Sequence, residues 1–504
     1  MRMPRSLAIA ALLAGTATQA LAQAPAEAPT LRIGLQEDPD ALDPHRARTF
    51  VGRMVFTSMC DKLVDVAPDL SIVPQLATEW SWNEDSTVLT MTLREDATFQ
   101  DGAPVNAEAV KANLDRAMTL PDSLRKSELS SVSSVEAVDE FTVAITLSEP
   151  DATLLAQLSD RAGMMLAPSA FEDFVNNPVC SGPYKFVERV QNDRIVLEKY
   201  AEHYDADAYS FGRLIFLPIT DTTVRLANLQ SGDIQLLERL APSDIAAVEA
   251  DANLDFLQEA GTGYVALRIN VANGERGQTP FGQDKRIRQA FQLAIDREVI
   301  NQVVGFGTFA PAQQPFPPTS EFYDERFPPT TRDVEAAKAL LAEAGVERVA
   351  VELVYGNTTT TQQISELIQA MAAEAGFDVT LRPTEFAAMQ QEMTSGNFQI
   401  SQIGWSGRID PDGNIHQFVA CEGSLNDGDY CNEEVDRLLD EARRTTDTAA
   451  RVELYGQAQA ILQDELPQIN LYYQPRAFGV SNRLQGFTAH PDGMIRLRNV
   501  TLTN

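Results

Sequence analysis

The chain holds little of what most reactive centres are built from. Four histidines and four cysteines serve 504 residues. His45, His203, His416 and His490 are scattered, and neither CxxC nor HExxH occurs. A metal centre made of protein side chains is therefore not expected. Cations are scarce as well: 40 Lys and Arg face 72 Asp and Glu, a net charge of −32. A surface of that sign repels nucleic acid and anionic lipid, so neither is expected as a partner. Its plain consequence is solubility; its sharper one is steering of cationic ligands. Beyond the N-terminus no run of 18 apolar residues occurs, which argues against a membrane-spanning helix.

Hydrolase signatures are missing too. "GWSGR" at 404–408 lacks the second glycine of a nucleophile elbow,. "SLRK" at 123–126 fits SxxK, a pattern short enough to arise by chance, and no KTG or SDN completes the set,. Asp410 and Asp412 lie two residues apart in a Gly/Pro turn, where they shape the turn rather than flank a glycosidic bond. "DPDGN" is too short for an EF-hand loop,. No catalytic residue and no cofactor are expected, and an exported hydrolase stays a remote alternative.

What is present begins with a targeting signal. "MRMPRS" carries two arginines, "LAIAALLAG" is a short apolar run, and Ala20-Leu21-Ala22 supplies small residues at −3 and −1. This predicts a signal peptide over 1–22, with export to the periplasm. Export permits disulfides. Four cysteines allow three pairings. Cys421 and Cys431 flank the polar loop "EGSLNDGDY" and suit a local bridge, which leaves Cys60 for Cys180.

About 480 mature residues exceed a single core, so two or three domains are expected. "TVLTMTLRED" and "FTVAITL" alternate as half-buried strands,. "VAVELVYG", "QQISELIQAMAAEAG" and "FDVTLRPTE" read as β-α-β, with Gly376 ending the helix,. "NEEVDRLLDEARR" puts Val435, Leu438, Leu439 and Ala442 on one face behind an Asn432 cap,. The alternation argues α/β, with a strand-rich α+β block near 70–200.

Five blocks follow in order: "IVPQLATEWSWNEDSTVLTMTLREDATFQDGAPVNAEAVKANLDR", "CSGPYKFVER", "LANLQSGDIQLLERL", "PFGQDKRIRQAFQLAIDREVINQVVGFGTFAPAQQPFPP", and "GWSGRIDPDGN" through "YCNEEVDRLLDEARR". The series resembles the dipeptide-, oligopeptide- and nickel-binding proteins of bacterial ABC importers, over nearly the whole mature chain. The resemblance implies an α/β fold of two lobes with a hinge and an extra α+β domain inserted in the first lobe. Lobe I maps to 31–66, 210–274 and 482–504, the extra domain to 67–209 and lobe II to 275–481. It implies capture of a short peptide or peptide-like solute in the interlobe cleft and delivery to an inner-membrane ABC permease. A monomer is the family expectation. A small organic acid, opine, glutathione or metal chelate is the alternative ligand.

The resemblance also proposes site residues. Trp405 matches the aromatic that covers the ligand. The acid that pairs with a peptide ammonium falls on Arg408 when aligned from Trp405, or on Asp410 when aligned from "DPD". Arg408 then either grips a ligand anion or pairs with Asp410 or Asp412 to shape the loop. The family's carboxylate-binding arginine is missing after "VELVYG", where Tyr355 and Asn357 could line the cleft or "NTTTTQQ" could simply open a helix. Tyr264, placed on a lobe I strand, and Arg161 in "RAGMM" are further candidates. The "EDPDALDP" loop offers Glu37, Asp38 and Asp43, either to ligand or to solvent and a cap.

Overall fold

The computed structural model describes residues 28–503. The signal-peptide expectation, residues 1–22, lies outside them. Two sheets form the two lobes. In the first, the strand Thr30–Leu35 runs parallel to Arg213–Pro218 on one side and Leu236–Glu238 on the other. Its Leu31, Ile33 and Leu35 are fully buried, as a strand flanked by parallel neighbours requires. The second sheet runs Ala310–Pro311, Gln468–Tyr473, Tyr264–Ile269, Ile400–Trp405, Val349–Gly356, Phe377–Thr384. The last two are parallel and joined by the helix Thr359–Glu374. Thr358 caps that helix by accepting from Thr361 N at 3.3 Å. Gly376 follows it at φ +105°, a conformation a side chain would strain,.

The inserted unit is a four-stranded antiparallel sheet, Ala77–Trp82, Val88–Leu93, Thr142–Leu147 and Val132–Ala137. Leu89, Met91 and Leu93 meet Val143, Ile145 and Leu147 in its core. The alternation in these strands thus faces inward as read. Asn432 caps the helix Glu433–Arg444, accepting from Glu434 N at 3.0 Å, and the stripe Val435, Leu438, Leu439, Ala442 is buried.

Strand pairing differs from the expected boundaries in three places. Tyr264–Ile269 pairs with Ile400–Trp405 and belongs to the second lobe, not the first. Arg476–Ser481 lies between Leu254–Glu259 and Leu236–Glu238 in the first sheet, not in lobe II. Tyr184–Val190 and Arg194–Lys199, expected in the extra domain, extend the first sheet through Arg213–Pro218. The physical reason is common to all three: an alternating or apolar strand fits any sheet, and only its long-range partner decides which. The chain therefore crosses between lobes at 260–263 and again at 474–475, and the two short crossings form the hinge. They lie together, since a Cβ on Gly261 would stand 2.7 Å from the Gln474 carbonyl oxygen.

Both cysteine pairs are bonded, Cys60 to Cys180 and Cys421 to Cys431. The first ties the end of the helix Phe50–Met59 to the segment that bridges Leu166.

The lobes are closed on one another. Arg48, on the first lobe, pairs with Asp427 of the second and donates to Thr394 Oγ1 at 2.9 Å. The inserted unit joins them: Ala152 N donates to the Arg443 carbonyl at 2.8 Å, and the Ser127 and Ser424 hydroxyls meet at 3.0 Å.

Candidate functional site

Closure leaves a cavity of about 1400 Å³, mouth included, between the lobes. The second lobe supplies its apolar wall. Trp405 ends the strand Ile400–Trp405, directly opposite Tyr264 on the neighbouring strand, and both line the cavity. Trp405 Nε1 donates to Asn414 Oδ1 at 2.9 Å, and the Tyr264 hydroxyl donates to the Asn414 carbonyl at 3.0 Å. Phe418 stands edge-on to the indole with centroids 4.8 Å apart. One asparagine thus fixes two rings, giving a partner to the buried indole N–H and to the Tyr264 hydroxyl proton,.

"GWSGRIDPDGN" shapes this wall from behind. Gly407 sits at φ +80°, and a Cβ there would lie 2.3 Å from Thr262 Oγ1, so only glycine lets the loop pass the hinge segment 260–263,. The chain then enters the helix Asp412–Val419. Arg408 does not reach the cavity. Its Nε stands 2.6 Å from Asp160 Oδ2 of the inserted unit, and Nη1 donates to the Gly407 carbonyl at 2.8 Å. Its guanidinium lies 4.2 Å behind the Trp405 ring. Burial pushes its pKa down to about 9, with Arg53 adding to that and Asp160 opposing.

The other expected residues divide. Asp410 is held by both terminal nitrogens of Arg451, at 2.9 and 2.8 Å, and Asp412 by Arg443 at 2.7 Å. Neither meets Arg408, and neither carboxylate is free for a ligand. Arg161 is buried elsewhere and donates to the Ala47 carbonyl at 2.6 Å. Tyr355 packs inside its sheet, and Asn357 is exposed, its N–H donating to the Thr384 carbonyl at 3.1 Å. Their neighbours Gly356, Thr358, Thr360 and Thr361 line the cavity instead. In the loop after the first strand, Asp38 pairs with Arg189 at 2.7 Å and Asp43 with Arg116 at 2.6 Å. Glu37 remains, and it lines the cavity.

What the residue pattern missed is a set of arginines. Arg48, Arg225, Arg239, Arg268 and Arg476 all line the cavity, against two acids, Glu37 and Asp427. They form two neighbourhoods. In the second lobe Arg268 stacks 3.8 Å over Phe418 and donates to the Tyr264 hydroxyl at 3.3 Å, near the Arg48–Asp427 pair. Burial lowers its pKa. In the first lobe Arg239 donates to Gln36 Oε1 at 3.2 Å and stands 3.4 Å from Glu238. Beside it Arg225 donates to the Ile219 carbonyl at 2.6 Å, and Arg476 donates to the Ser406 carbonyl across the hinge. Burial, then the like charges of Arg239 and Arg53, push Arg476 down to about 9. The protein's surplus of acid is therefore not repeated here: the cavity is cationic, and steering of cationic ligands into it finds no support in its lining. A lone arginine within the apolar strand "YVALRI" was the one signal available in sequence for Arg268.

The family profile of bacterial extracellular solute-binding proteins, family 5, matches residues 71–426. The chain belongs to that family. Its members serve ABC importers, and this chain shares their two-lobed α/β fold. The glutathione-binding protein GsiB of Salmonella typhi is 29% identical over 468 residues, 90% of each chain. That of Pectobacterium atrosepticum is 27% identical over 480 residues, 92% of each. Among solved structures, the binding protein AgaA of A. tumefaciens, in complex with agropinic acid, superposes with a TM-score of 0.86 at 25% identity, covering 94% of this chain and 99% of that one. The murein tripeptide binding protein MppA of Escherichia coli gives 0.87 at 22% identity, over 95% and 99%, a likeness of fold alone. The cavity of this family 5 protein thus lies where two lobes close, at the C-terminal ends of strands such as Thr30–Leu35 and Val349–Gly356, as ligand sites in α/β folds do.

Proposed function

We propose that this family 5 protein captures a small peptide-like solute carrying two or more carboxylates and delivers it to an ABC permease of the inner membrane. The observation that carries this reading is the cavity's five arginines against two acids. Guanidinium forks suit carboxylates, and in a closed cavity such contacts are stronger than in water. The relatives point the same way: glutathione, named for GsiB, and agropinic acid, held by AgaA, both bear carboxylates. Trp405 and Tyr264 give the apolar wall for the ligand's chain. The protein works by capture rather than turnover: the solute bridges the lobes and biases an open–closed equilibrium. It acts in the periplasm as a monomer, a setting that suits its two disulfides,.

A thermal-shift and calorimetry panel tests this with glutathione, opines, dipeptides without acidic side chains, and nickel–histidine. Glutathione or an opine should stabilise the protein, and Arg268→Gln should weaken that binding by roughly 10- to 100-fold, the worth of one charged hydrogen-bonding contact. Tight binding of neutral dipeptides with no response to polycarboxylates would refute the reading.

A further inference from the structure

We infer that Glu37 reads a hydrogen-bond donor on the ligand, an ammonium in first place, so that the captured solute is an amino polycarboxylate rather than a simple polyacid. The inference rests on the polycarboxylate reading and adds to it the opposite charge.

The argument is one of available partners. Among the described residues, two acids line the cavity. Asp427 is occupied by Arg48 and by the Thr394 hydroxyl. The acids of the second-lobe loop are taken by Arg451 and Arg443. Glu37 is different: it is buried, and its Oε2 has no hydrogen-bond donor. The Gln36 side chain bonds the same carboxylate without reaching Oε2, and the other neighbours are committed elsewhere. Arg239 is held by Gln36 and Glu238, and Arg225 donates to the Ile219 carbonyl and, at 3.3 Å, to that of Arg239. The Gln36 N–H is spent on Glu238 Oε2 at 3.2 Å. A carboxylate left so, in a closed cavity, is costly unless a donor arrives or it takes a proton.

The groups facing Glu37 are Arg239, Glu238, Asp40, Gln36 and Arg225. Burial dominates, Arg239 and a hydrogen bond from the Gln36 side chain oppose it, and Glu238 and Asp40 reinforce it, so the Glu37 carboxyl is pushed up to about 7. In the empty cavity it is therefore largely protonated below pH 7. An ammonium entering beside it replaces that proton, which is released to solvent. The solute's carboxylates then lie against Arg268 on one lobe and Arg476 on the other.

Calorimetry with three probes separates the possibilities: glutathione, its N-acetyl derivative, and the amine-free tricarboxylate tricarballylate. Each is titrated at pH 6, 7 and 8, in two buffers of different ionisation enthalpy, into the wild-type protein and Glu37→Gln. In the wild type, N-acetylation should weaken binding about 30-fold, the loss of one charge-assisted hydrogen bond at a buried site. Glutathione should release a proton at pH 6 and bind more tightly as pH rises through 7. In Glu37→Gln the acetyl penalty should shrink to about threefold or less, and the proton release should vanish. The variant's melting temperature reports that it folds. If polycarboxylates bind but acetylation or Glu37→Gln makes no difference, this inference falls and the polycarboxylate reading stands. If none of the three probes binds, both fall.

Discussion

Replacing Asp160 with asparagine removes one negative charge from the place where both lobes and the inserted unit meet. Asp160 accepts from Arg53 Nε of the first lobe at 2.9 Å and faces Arg408 Nε of the second at 2.6 Å. Both arginines also share the Ser406 hydroxyl, at 3.0 and 3.3 Å. Burial pushes the Asp160 carboxyl up, but Arg408, Arg53, Arg161 and Arg125 together hold it well below the usual carboxylate range. Asparagine would leave that cluster of buried guanidiniums without its acid. Breaking one partner of a buried pair costs about 3–5 kcal/mol. The Asp160–Arg408 contact joins the inserted unit to the second lobe, and the prediction is that opening breaks it. A loss of about 3 kcal/mol charged to the closed form alone weakens ligand binding roughly 100-fold, although Asp160 does not touch the cavity. The assay is calorimetric affinity alongside the melting temperature of the ligand-free protein. Affinity should fall far more than stability. Unchanged affinity with a lowered melting temperature would show that the contact persists in the open form, and the reasoning about closure would fail.

Three further outcomes are expected. Arg48→Met removes the clasp to Asp427 and Thr394, so ligand release in stopped-flow should quicken about tenfold, one charged contact's worth; an unchanged off-rate would argue that the mouth is held elsewhere. Glu37 has a folded pKa above its ordinary 4.5, so its favourable contribution is complete below pH 4.5 and is lost as pH rises to about 7. Glu37→Gln should therefore raise the ligand-free stability at pH 8 by up to about 3 kcal/mol and flatten the urea-midpoint profile between those values. The opposite sign holds for Asp492: burial pushes it up, but Arg496, 2.8 Å away, overrides this and brings it to about 2. Its contribution, about 2 kcal/mol, is present above pH 4 and lost as pH falls to 2, and Asp492→Asn should remove that part of the acid transition.

Reading the sequence reached some residues and not others for definable reasons. Trp405 was legible because an aromatic after an apolar strand stands at a strand end whatever the loop does next. Glu37 was legible only as one of three acids in a loop, since Asp38 and Asp43 look the same until Arg189 and Arg116 take them. Arg408 raised the right question with the wrong partners: Asp410 and Asp412 are near in sequence, but Asp160 lies 248 positions earlier (residue 408 against 160) and is close only after three units pack. The arginines of the cavity had no shared motif, as they come from five separate stretches of the chain.

By itself the sequence determined the local structure and the family: alternation for the inserted sheet, caps and stripes for the helices, and ordered blocks for the two-lobed fold. These depend on neighbours within a few residues, or on order along the chain. The tertiary structure decided the lobe to which each strand belongs, which acids are spent, and the sign of charge in the cavity. Net charge sums over the whole surface, whereas a cavity's charge depends on which few side chains closure turns inward and which of them already have partners. An acidic protein with a cationic cleft is the result.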